Sequence, residues 1–187
     1  MRKKIGILIE SDFYEKEIEY YKEKFPGAGY ETVFLSRLWG FDSLTFKGHE
    51  TQMPLECSNS FESISDEKLA DFSAIIVPSG YVADRLRYSE DINKIPPAAG
   101  FIERAFAAGS VIKGIICHGL WLTAPVAGLI KDRKITCHNN LIWDARAYGA
   151  EYIDKDLVCD GDLVTARTGD HCEIFADKIL SLIEEKK

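Results

Sequence analysis

The chain has 187 residues, 46% of them hydrophobic and 28% charged, which is an ordinary globular composition and a length that fits one domain with a sizeable core. Its formal net charge is −7 and it has no long run of Lys or Arg, so nucleic acid and membrane are not expected as partners. A small neutral or polar substrate suits this composition better.

The first apolar run covers only residues 5–9, which is too short for a signal peptide or a membrane span. We therefore expect a buried first strand in a cytoplasmic protein. The cysteines are odd in number and lack paired short spacing, so neither a disulfide framework nor a zinc ribbon is indicated. We expect free thiols at all five positions: Cys57, Cys117, Cys137, Cys159 and Cys172.

The first half of the chain alternates short apolar runs with amphipathic stretches. Residues 5–9 and 32–35 predict strands on either side of a helix at 15–25, which Pro26-Gly27 ends. Residues 36–71 are the least regular and predict an insertion or a hairpin, without a linker that would divide the chain. Residues 1–187 are thus expected to form one domain.

The middle of the chain continues the alternation. A buried strand at 74–77 stops at Pro78-Ser79-Gly80, a helix at 102–108 closes at Gly109, and a strand follows at 111–117. This order predicts an α/β fold in which four parallel strands are covered by helices on both faces.

The last part of the chain mixes short elements. Residues 119–129 predict a helix that Pro125 interrupts, and Asp160-Gly161 predicts a hairpin turn. The remaining expected elements are strands at 135–138, 152–153, 157–158 and 163–167, a helix at 143–148, and a final helix at 173–187. The final helix has these apolar residues on one face: Ile174, Phe175, Ile179, Leu182 and Ile183.

Cys117 ends the predicted strand at 111–117, inside Ile115-Ile-Cys-His-Gly119. Ligands of an open parallel sheet bind at the carboxyl ends of its strands. A thiol there lies beside a helix N-terminus, whose free N–H groups favour the thiolate and could hold an oxyanion. The alternative is that Cys117 is a small buried residue finishing a strand, as unpaired cysteines often are.

Several segments together resemble the ThiJ/PfpI family. These are Ala74-Ile-Ile-Val-Pro-Ser-Gly80, Asp84-Arg-Leu-Arg87, Ile115-Ile-Cys-His-Gly119, Asp12-Phe-Tyr-Glu-Lys-Glu-Ile18 and Lys134-Ile-Thr-Cys-His138. Their order is similar to the family pattern across nearly the whole chain. The resemblance implies a flavodoxin-like three-layer sandwich with a nucleophile-elbow cysteine.

The resemblance also implies roles for single residues. Cys117 is expected to be the nucleophile with His118 as its neighbour, and Glu17 the carboxyl group that contacts the thiol. Glu15 remains the alternative to Glu17. His138 falls at a pocket position that is histidine in one branch of the family and tyrosine in the protease-like branch.

Two departures from the family pattern affect the expected function. The turn at Ser79-Gly80, whose amides with that of His118 are expected to bind an oxyanion, has serine in place of the first glycine, so its φ must suit a side chain. Asp84 stands where the protease-like branch has a glutamate that reaches across a subunit interface. Its shorter side chain argues against a complete Cys-His-carboxylate triad.

Several histidines and cysteines of the sequence could have other roles. His118 and His138 each follow a cysteine, but side chains of adjacent extended residues point apart, so we expect no metal site. Cys137 is either a resolving thiol or a buried strand residue. Asp170-His171 suits a cap of the last helix, with a pocket role for His171 as the alternative.

The resemblance implies an enzyme, without a cofactor, whose Cys117 thiolate attacks a reactive carbonyl such as a glyoxal or a glycated adduct. Peptide or amide hydrolysis is a related alternative. A different one is a redox or stress sensor that works by oxidation of Cys117, and the last is a binding module with a disused pocket. A homodimer or a higher homo-oligomer is expected from the family.

Overall fold

The computed structural model describes residues 4–186. Its strands are, in chain order, β1 (Lys4–Leu8), β2 (Glu31–Leu35), β3 (Leu44–Lys47), β4 (Pro54–Cys57), β5 (Phe72–Val77), β6 (Ile112–Ile116), β7 (Lys134–Ile135), β8 (Glu151–Tyr152), β9 (Leu157–Asp160) and β10 (Leu163–Ala166). Its α-helices are α1 (Glu15–Gly27), α2 (Asp66–Leu69), α3 (Val82–Leu86), α4 (Pro97–Ala107), α5 (Ile142–Ala147) and α6 (Cys172–Glu185). Four 3-10 segments complete it: Phe61–Ser63, Cys117–Leu129, Asn139–Leu141 and Gly169–His171.

The central sheet has six strands in the order β2-β1-β5-β6-β10-β9. Five run parallel, and β9 pairs antiparallel with β10 through the turn expected at Asp160-Gly161. The expectation of four parallel strands is therefore wrong by one. β10 returns as a partner of β6, and this long-range pairing has no local sequence signal.

The register of the central strands brings three chain turns together. Val77 pairs with Ile115, and Ala166 pairs with Ile116, so β5, β6 and β10 finish at one level. The residues that follow these strands therefore meet at the carboxyl edge of the sheet, where ligands bind in such folds.

Helices lie on both faces of the sheet and give the flavodoxin-like three-layer sandwich that was expected. On one face α1 and α6 pack together, and Gly114 of β6 leaves room for α6, since a Cβ there would lie 2.7 Å from Cζ of Phe175. α3 and α4 pack with the 3-10 segment that follows β6. Residues on both faces of β5, β6 and β10 are buried, whereas β2 at the edge of the sheet is mostly half-buried.

Several boundaries differ from those expected. The irregular stretch at 36–71 holds the antiparallel hairpin of β3 and β4. Of the strand expected at 135–138, only Ile135 belongs to an observed strand, β7, which pairs with β8. Ile174, which belongs to the predicted apolar face of α6, is 44% exposed. In the part of the chain that the structure describes, no helix is long and apolar enough to cross a membrane.

Candidate active site

Cys117 lies on a sharp turn directly after β6. Its φ is 59°, in the left-handed region that side chains avoid at a cost of about 1 to 3 kcal/mol. Gly119 permits the turn to approach β5, because a Cβ there would lie 2.7 Å from the Val77 carbonyl oxygen. This strained turn presents the thiol at the end of the sheet, as a nucleophile elbow does.

The backbone N–H groups of His118, Gly169 and Gly80 lie near the sulfur. Each lowers the pKa of the Cys117 thiol by favouring its charged form, although among the described residues none makes a hydrogen bond of acceptable geometry to Sγ. Gly80 has a φ of 78°, and a Cβ there would collide with the backbone of Asp12. The three amides come from the turns after β6, β10 and β5, so they form a preorganised anion site.

Gly169 was not predicted as a site residue. It follows β10, and β10 was predicted only as one strand of a hairpin, so its end was not placed beside that of β6. A Cβ at Gly169 would collide with the Tyr14 ring and lie 2.6 Å from Oγ of Ser79. Only glycine therefore brings this amide to the sulfur.

The resting thiol is neutral. Cys117 is 8% exposed, and burial together with the negative charge of Glu17 raises the pKa of its thiol to about 11 despite the three amides. The expectation that the elbow alone favours the thiolate is therefore wrong. Nδ1 of His118 lies 3.3 Å from Sγ, close enough to take the thiol proton when the sulfur attacks.

Two histidines lie side by side at the thiol. The ring centroids of His118 and His138 are 4.4 Å apart, and the Trp121 ring packs edge-on against His118. Burial lowers the pKa of His118, and His138 lowers it further; burial also lowers the pKa of His138. Both rings are thus neutral near pH 7 and able to accept or donate a proton.

Glu17 is a fully buried carboxyl group on α1. Its Oε2 accepts hydrogen bonds from the backbone N–H of Ser79 at 3.0 Å and from the Ser79 hydroxyl. Among residues 4–186 its Oε1 has no partner of acceptable geometry, although the Tyr21 hydroxyl is close enough to lower the pKa of Glu17. Burial raises the pKa of Glu17 to about 7. The group beside the thiol is therefore divided between its acid and its carboxylate near neutral pH.

Glu15 and Glu17 belong to one helix and take different roles. Glu15 accepts the backbone N–H groups of Glu50 at 2.9 Å and Thr51 at 2.7 Å, which fixes the hairpin loop. Burial raises the pKa of Glu15, but these N–H bonds outweigh it and the net shift is downward. Glu17 is the carboxyl group whose charge acts on Cys117.

Ser79 replaces a glycine without backbone strain, because the positive φ of this turn falls on Gly80 and not on Ser79. The backbone N–H of Ser79 donates to Glu17, so it is not directed at the thiol. The expectation that the Ser79 amide binds an oxyanion is corrected in this respect. The Gly169 backbone N–H, in contrast, acts on the Cys117 thiol and lowers its pKa.

A sequence model of the DJ-1/PfpI family matches residues 3–182 of this chain. The chain belongs to this family. Protein/nucleic acid deglycase 2 of Escherichia coli strain K12 is 30% identical over 184 residues, which cover 98% of this chain and 99% of that protein. Putative cysteine protease YraA of Bacillus subtilis strain 168 is 27% identical over 98% of this chain and 100% of that protein.

The fold agrees with a solved member. A two-domain protein of Anabaena variabilis, with DJ-1/ThiJ/PfpI-like and ferritin-like domains, superposes with a TM-score of 0.83 and 25% identity. The match covers 97% of this chain and 48% of that one. The DJ-1/PfpI fold therefore accounts for nearly all of the chain.

Asp84 does not complete a triad within this chain. It lies on α3 with an exposed side chain, and among residues 4–186 no carboxylate forms an ion pair with His118 or His138. The histidines of the site are therefore oriented by ring contacts and by the Asn140 N–H, which donates to Nδ1 of His138 at 3.2 Å.

The remaining candidates have structural roles. His171 forms a capping box with Thr168 before α6, where its Nδ1 accepts the Thr168 N–H at 3.2 Å. Asp170 accepts hydrogen bonds from Tyr14 and Lys16. Cys137 is buried outside any strand, and burial raises the pKa of its thiol to about 12.

Proposed function

We propose that this DJ-1/PfpI protein is a cysteine-dependent enzyme that acts on reactive carbonyl compounds as a glyoxalase or deglycase. The proposal depends on the surroundings of the Cys117 sulfur. Three backbone N–H groups act on its thiol, and Nδ1 of His118 lies 3.3 Å from Sγ. Such a site suits a reaction in which a thiol adds to a carbonyl and negative charge develops on the oxygen.

The first step is addition of Cys117 to the aldehyde of a 2-oxoaldehyde such as methylglyoxal. The S–C bond forms while the C=O π electrons move to the oxygen, and the thiol proton passes through His118 to that oxygen. The amides of Gly80, His118 and Gly169 stabilise the charge on the oxygen during transfer. The product is a hemithioacetal.

The second step is a proton shift along the substrate. A histidine removes the C1 proton, the C2 carbonyl oxygen is protonated, and an enediol forms. Protonation at C2 and loss of the C1 hydroxyl proton then give a thioester, which water cleaves to the 2-hydroxy acid and free Cys117. The neighbouring neutral rings of His118 and His138 provide two groups for these transfers.

A glycated adduct can enter the same sequence. In a hemiaminal the hydroxyl proton moves to the departing amine, and the aldehyde that forms is attacked by Cys117. The name of the Escherichia coli relative, Protein/nucleic acid deglycase 2, favours such adducts as substrates. Neither the 2-oxoaldehyde reaction nor the reaction of the glycated adduct requires an oxidant or an added cofactor.

Glu17 adjusts the reactivity of the thiol. Its carboxylate raises the pKa of Cys117, so protonation of Glu17, whose pKa is about 7, removes one cause of that rise. Addition of the thiol and protonation of Glu17 are therefore coupled.

The test is turnover of methylglyoxal to lactate by the wild type, Cys117→Ala and Cys159→Ala. Cys159 is exposed and distant from the site in sequence, so its variant is the matched control. We expect Cys117→Ala to lose at least about 1000-fold in kcat and Cys159→Ala to keep wild-type kcat. Equal activity in the three proteins would overturn the proposal, as would release of substrate amine without any requirement for Cys117.

Peptide hydrolysis is the second candidate, because a relative carries the name Putative cysteine protease YraA and Asp84 is exposed where a second copy of the chain could meet it. It requires a homo-oligomer in which Asp84 reaches the histidine of the partner subunit. Loss of peptidase activity in Asp84→Ala, with carbonyl turnover unchanged, would support it. Oxidation of Cys117 by peroxide in a protein without any turnover would instead favour the sensor.

A further inference from the structure

Three side chains with metal-binding atoms converge beside the elbow. Ligand atoms of Cys117, His118 and His138 all lie within 4.8 Å of one another. One thiol and two imidazoles form a donor set that favours borderline-soft cations such as Zn²⁺ over Mg²⁺ or Ca²⁺. Zinc enzymes commonly hold the ion by three protein ligands and leave a fourth position open.

The elbow is what allows two adjacent residues to point at one place. Side chains of adjacent extended residues point apart, but Cys117 has a φ of 59° and is not extended. Sγ of Cys117 and Nδ1 of His118 are 3.3 Å apart. The Zn–S and Zn–N bond lengths of a tetrahedral site place such a pair roughly 3.5 Å apart, so almost no movement is required.

His138 lies next to Cys117 and His118. Its backbone N–H donates to the Cys117 carbonyl oxygen at 3.5 Å, and its ring lies against His118. Nδ1 accepts the Asn140 N–H at 3.2 Å, so coordination through Nε2 would shift the ring proton to Nδ1 and break this long bond. His138 is therefore the weakest of the three ligands. Both rings are only partly buried, which leaves a path from solvent.

We propose that Cys117, His118 and His138 bind one Zn²⁺ with an open fourth position that water fills. On binding, the thiol proton is released to solvent, the sulfur forms the Zn–S bond, and no electron is transferred. The ion would then cap the sulfur, so that zinc reversibly blocks alkylation and any reaction of Cys117. This inference concerns binding and does not rest on the proposed carbonyl chemistry.

The first measurement uses Co²⁺ and Zn²⁺ with the reduced, metal-free full chain. Co²⁺ should bind at one equivalent and give a near-ultraviolet thiolate-to-cobalt band together with visible bands of tetrahedral intensity. Zn²⁺ should displace it and release about one proton per ion, measured by calorimetry in buffers of different ionisation enthalpy. A wild-type protein that binds no Co²⁺, or binds it without the thiolate band, would overturn the proposal.

The second measurement compares variants by Zn²⁺ competition with a chromophoric chelator. Cys117→Ala should lose the thiolate band and at least about 100-fold in affinity, His118→Ala should keep the band with weaker affinity, and His138→Ala should show the smallest loss, about 10-fold. Cys159→Ala and Cys137→Ala are the matched controls, one exposed and one buried, and both should retain wild-type affinity. Equal affinity in Cys117→Ala or His138→Ala would overturn the three-ligand site.

These readouts separate the zinc site from the proposed function. If the protein binds zinc through Cys117 but does not convert methylglyoxal, the zinc site is supported and the proposed activity is rejected. If it converts methylglyoxal with kcat unaffected by equimolar Zn²⁺ and shows no thiolate band with Co²⁺, the proposed activity is supported and the zinc site is rejected.

Discussion

Buried ionisable groups have different surroundings at the two ends of the central strands, here called the amino edge and the carboxyl edge of the sheet. At the amino edge, Lys113 is 2% exposed, and its Nζ donates to Asp162 at 2.6 Å and to the Ala108 carbonyl oxygen at 3.2 Å. At the carboxyl ends of the strands, Glu17 is fully buried, one of its oxygens has no well-aligned hydrogen-bond partner among the described residues, and its charge raises the pKa of Cys117.

This difference shows which buried groups stabilise the fold and which are able to take part in a reaction. A buried charge with good partners fixes structure, and its removal leaves the partner uncompensated. A buried acid with an incomplete set of partners changes its protonation state near neutral pH and can act on a neighbour. The strained φ of Cys117 lies at the same edge, so strain and incomplete pairing coincide at the candidate active site.

The largest effect is expected at the amino edge. Asp162→Ala leaves Lys113 buried without its carboxylate, and we expect a loss of about 3 to 5 kcal/mol in the free energy of unfolding, measured with urea. Asp154→Ala is the control, because Asp154 is 83% exposed in its pair with Arg167 and should cost less than about 1 kcal/mol. Equal losses in the two variants would remove the distinction between the edges.

A pH-dependent effect is expected at the carboxyl edge. The pKa of Glu17 is raised from 4.5 to about 7, so the wild type loses stability as the pH rises through this window, whereas Glu17→Gln does not. The variant should therefore gain on the order of 3 kcal/mol relative to the wild type between pH 4.5 and pH 8.

Glu15→Gln provides the opposite sign on the same helix. The pKa of Glu15 is lowered, so its carboxylate stabilises the fold above the unfolded-state pKa, and the variant should lose stability relative to the wild type as the pH rises. Urea unfolding at both pH values measures the two differences. Parallel pH profiles for the two variants would contradict the assignment of Glu17 as the unsatisfied acid.

A smaller effect is expected at Gly169. Gly169→Ala introduces a Cβ against Tyr14 and Ser79, which should cost about 1 to 3 kcal/mol of stability and displace the amide at the sulfur. We expect kcat for methylglyoxal to fall about 10-fold or more with KM less affected. Gly100→Ala is the control, since a Cβ there meets nothing within 4 Å and α4 should gain stability. Wild-type kcat in Gly169→Ala would exclude this amide from the anion site.

Much of the fold could be predicted because its signals are local. Apolar runs and the Gly and Pro residues that stop them indicated β1, β2, β5 and β6, and the end of β6 placed Cys117 at the carboxyl edge. The neighbourhood of β10 could not be predicted, because its pairing with β6 joins strands separated by some fifty residues. The strand itself was expected at 163–167, but because its pairing with β6 was not, Gly169 was not placed beside Cys117.

The ionisation of the site was the other failure of prediction. A turn after a strand suggested a stabilised thiolate, but the burial of Cys117 and the charge of Glu17 depend on packing between α1 and the ends of β5 and β6. The partner of Lys113 could not be predicted from the sequence either, because Asp162 lies 49 positions away in the chain. Such effects require the three-dimensional arrangement.

Cys117 rests as a neutral thiol and is activated only when it reacts. The most direct test is the rate of Cys117 alkylation against pH, measured by mass spectrometry with chelator present, in the wild type and in Glu17→Gln. We expect a rate that still rises above pH 9 in the wild type and a profile shifted to lower pH in the variant, since the pKa of the thiol is raised to about 11 in part by Glu17. A wild-type rate that already reaches its plateau below pH 7 would rule out the neutral resting thiol.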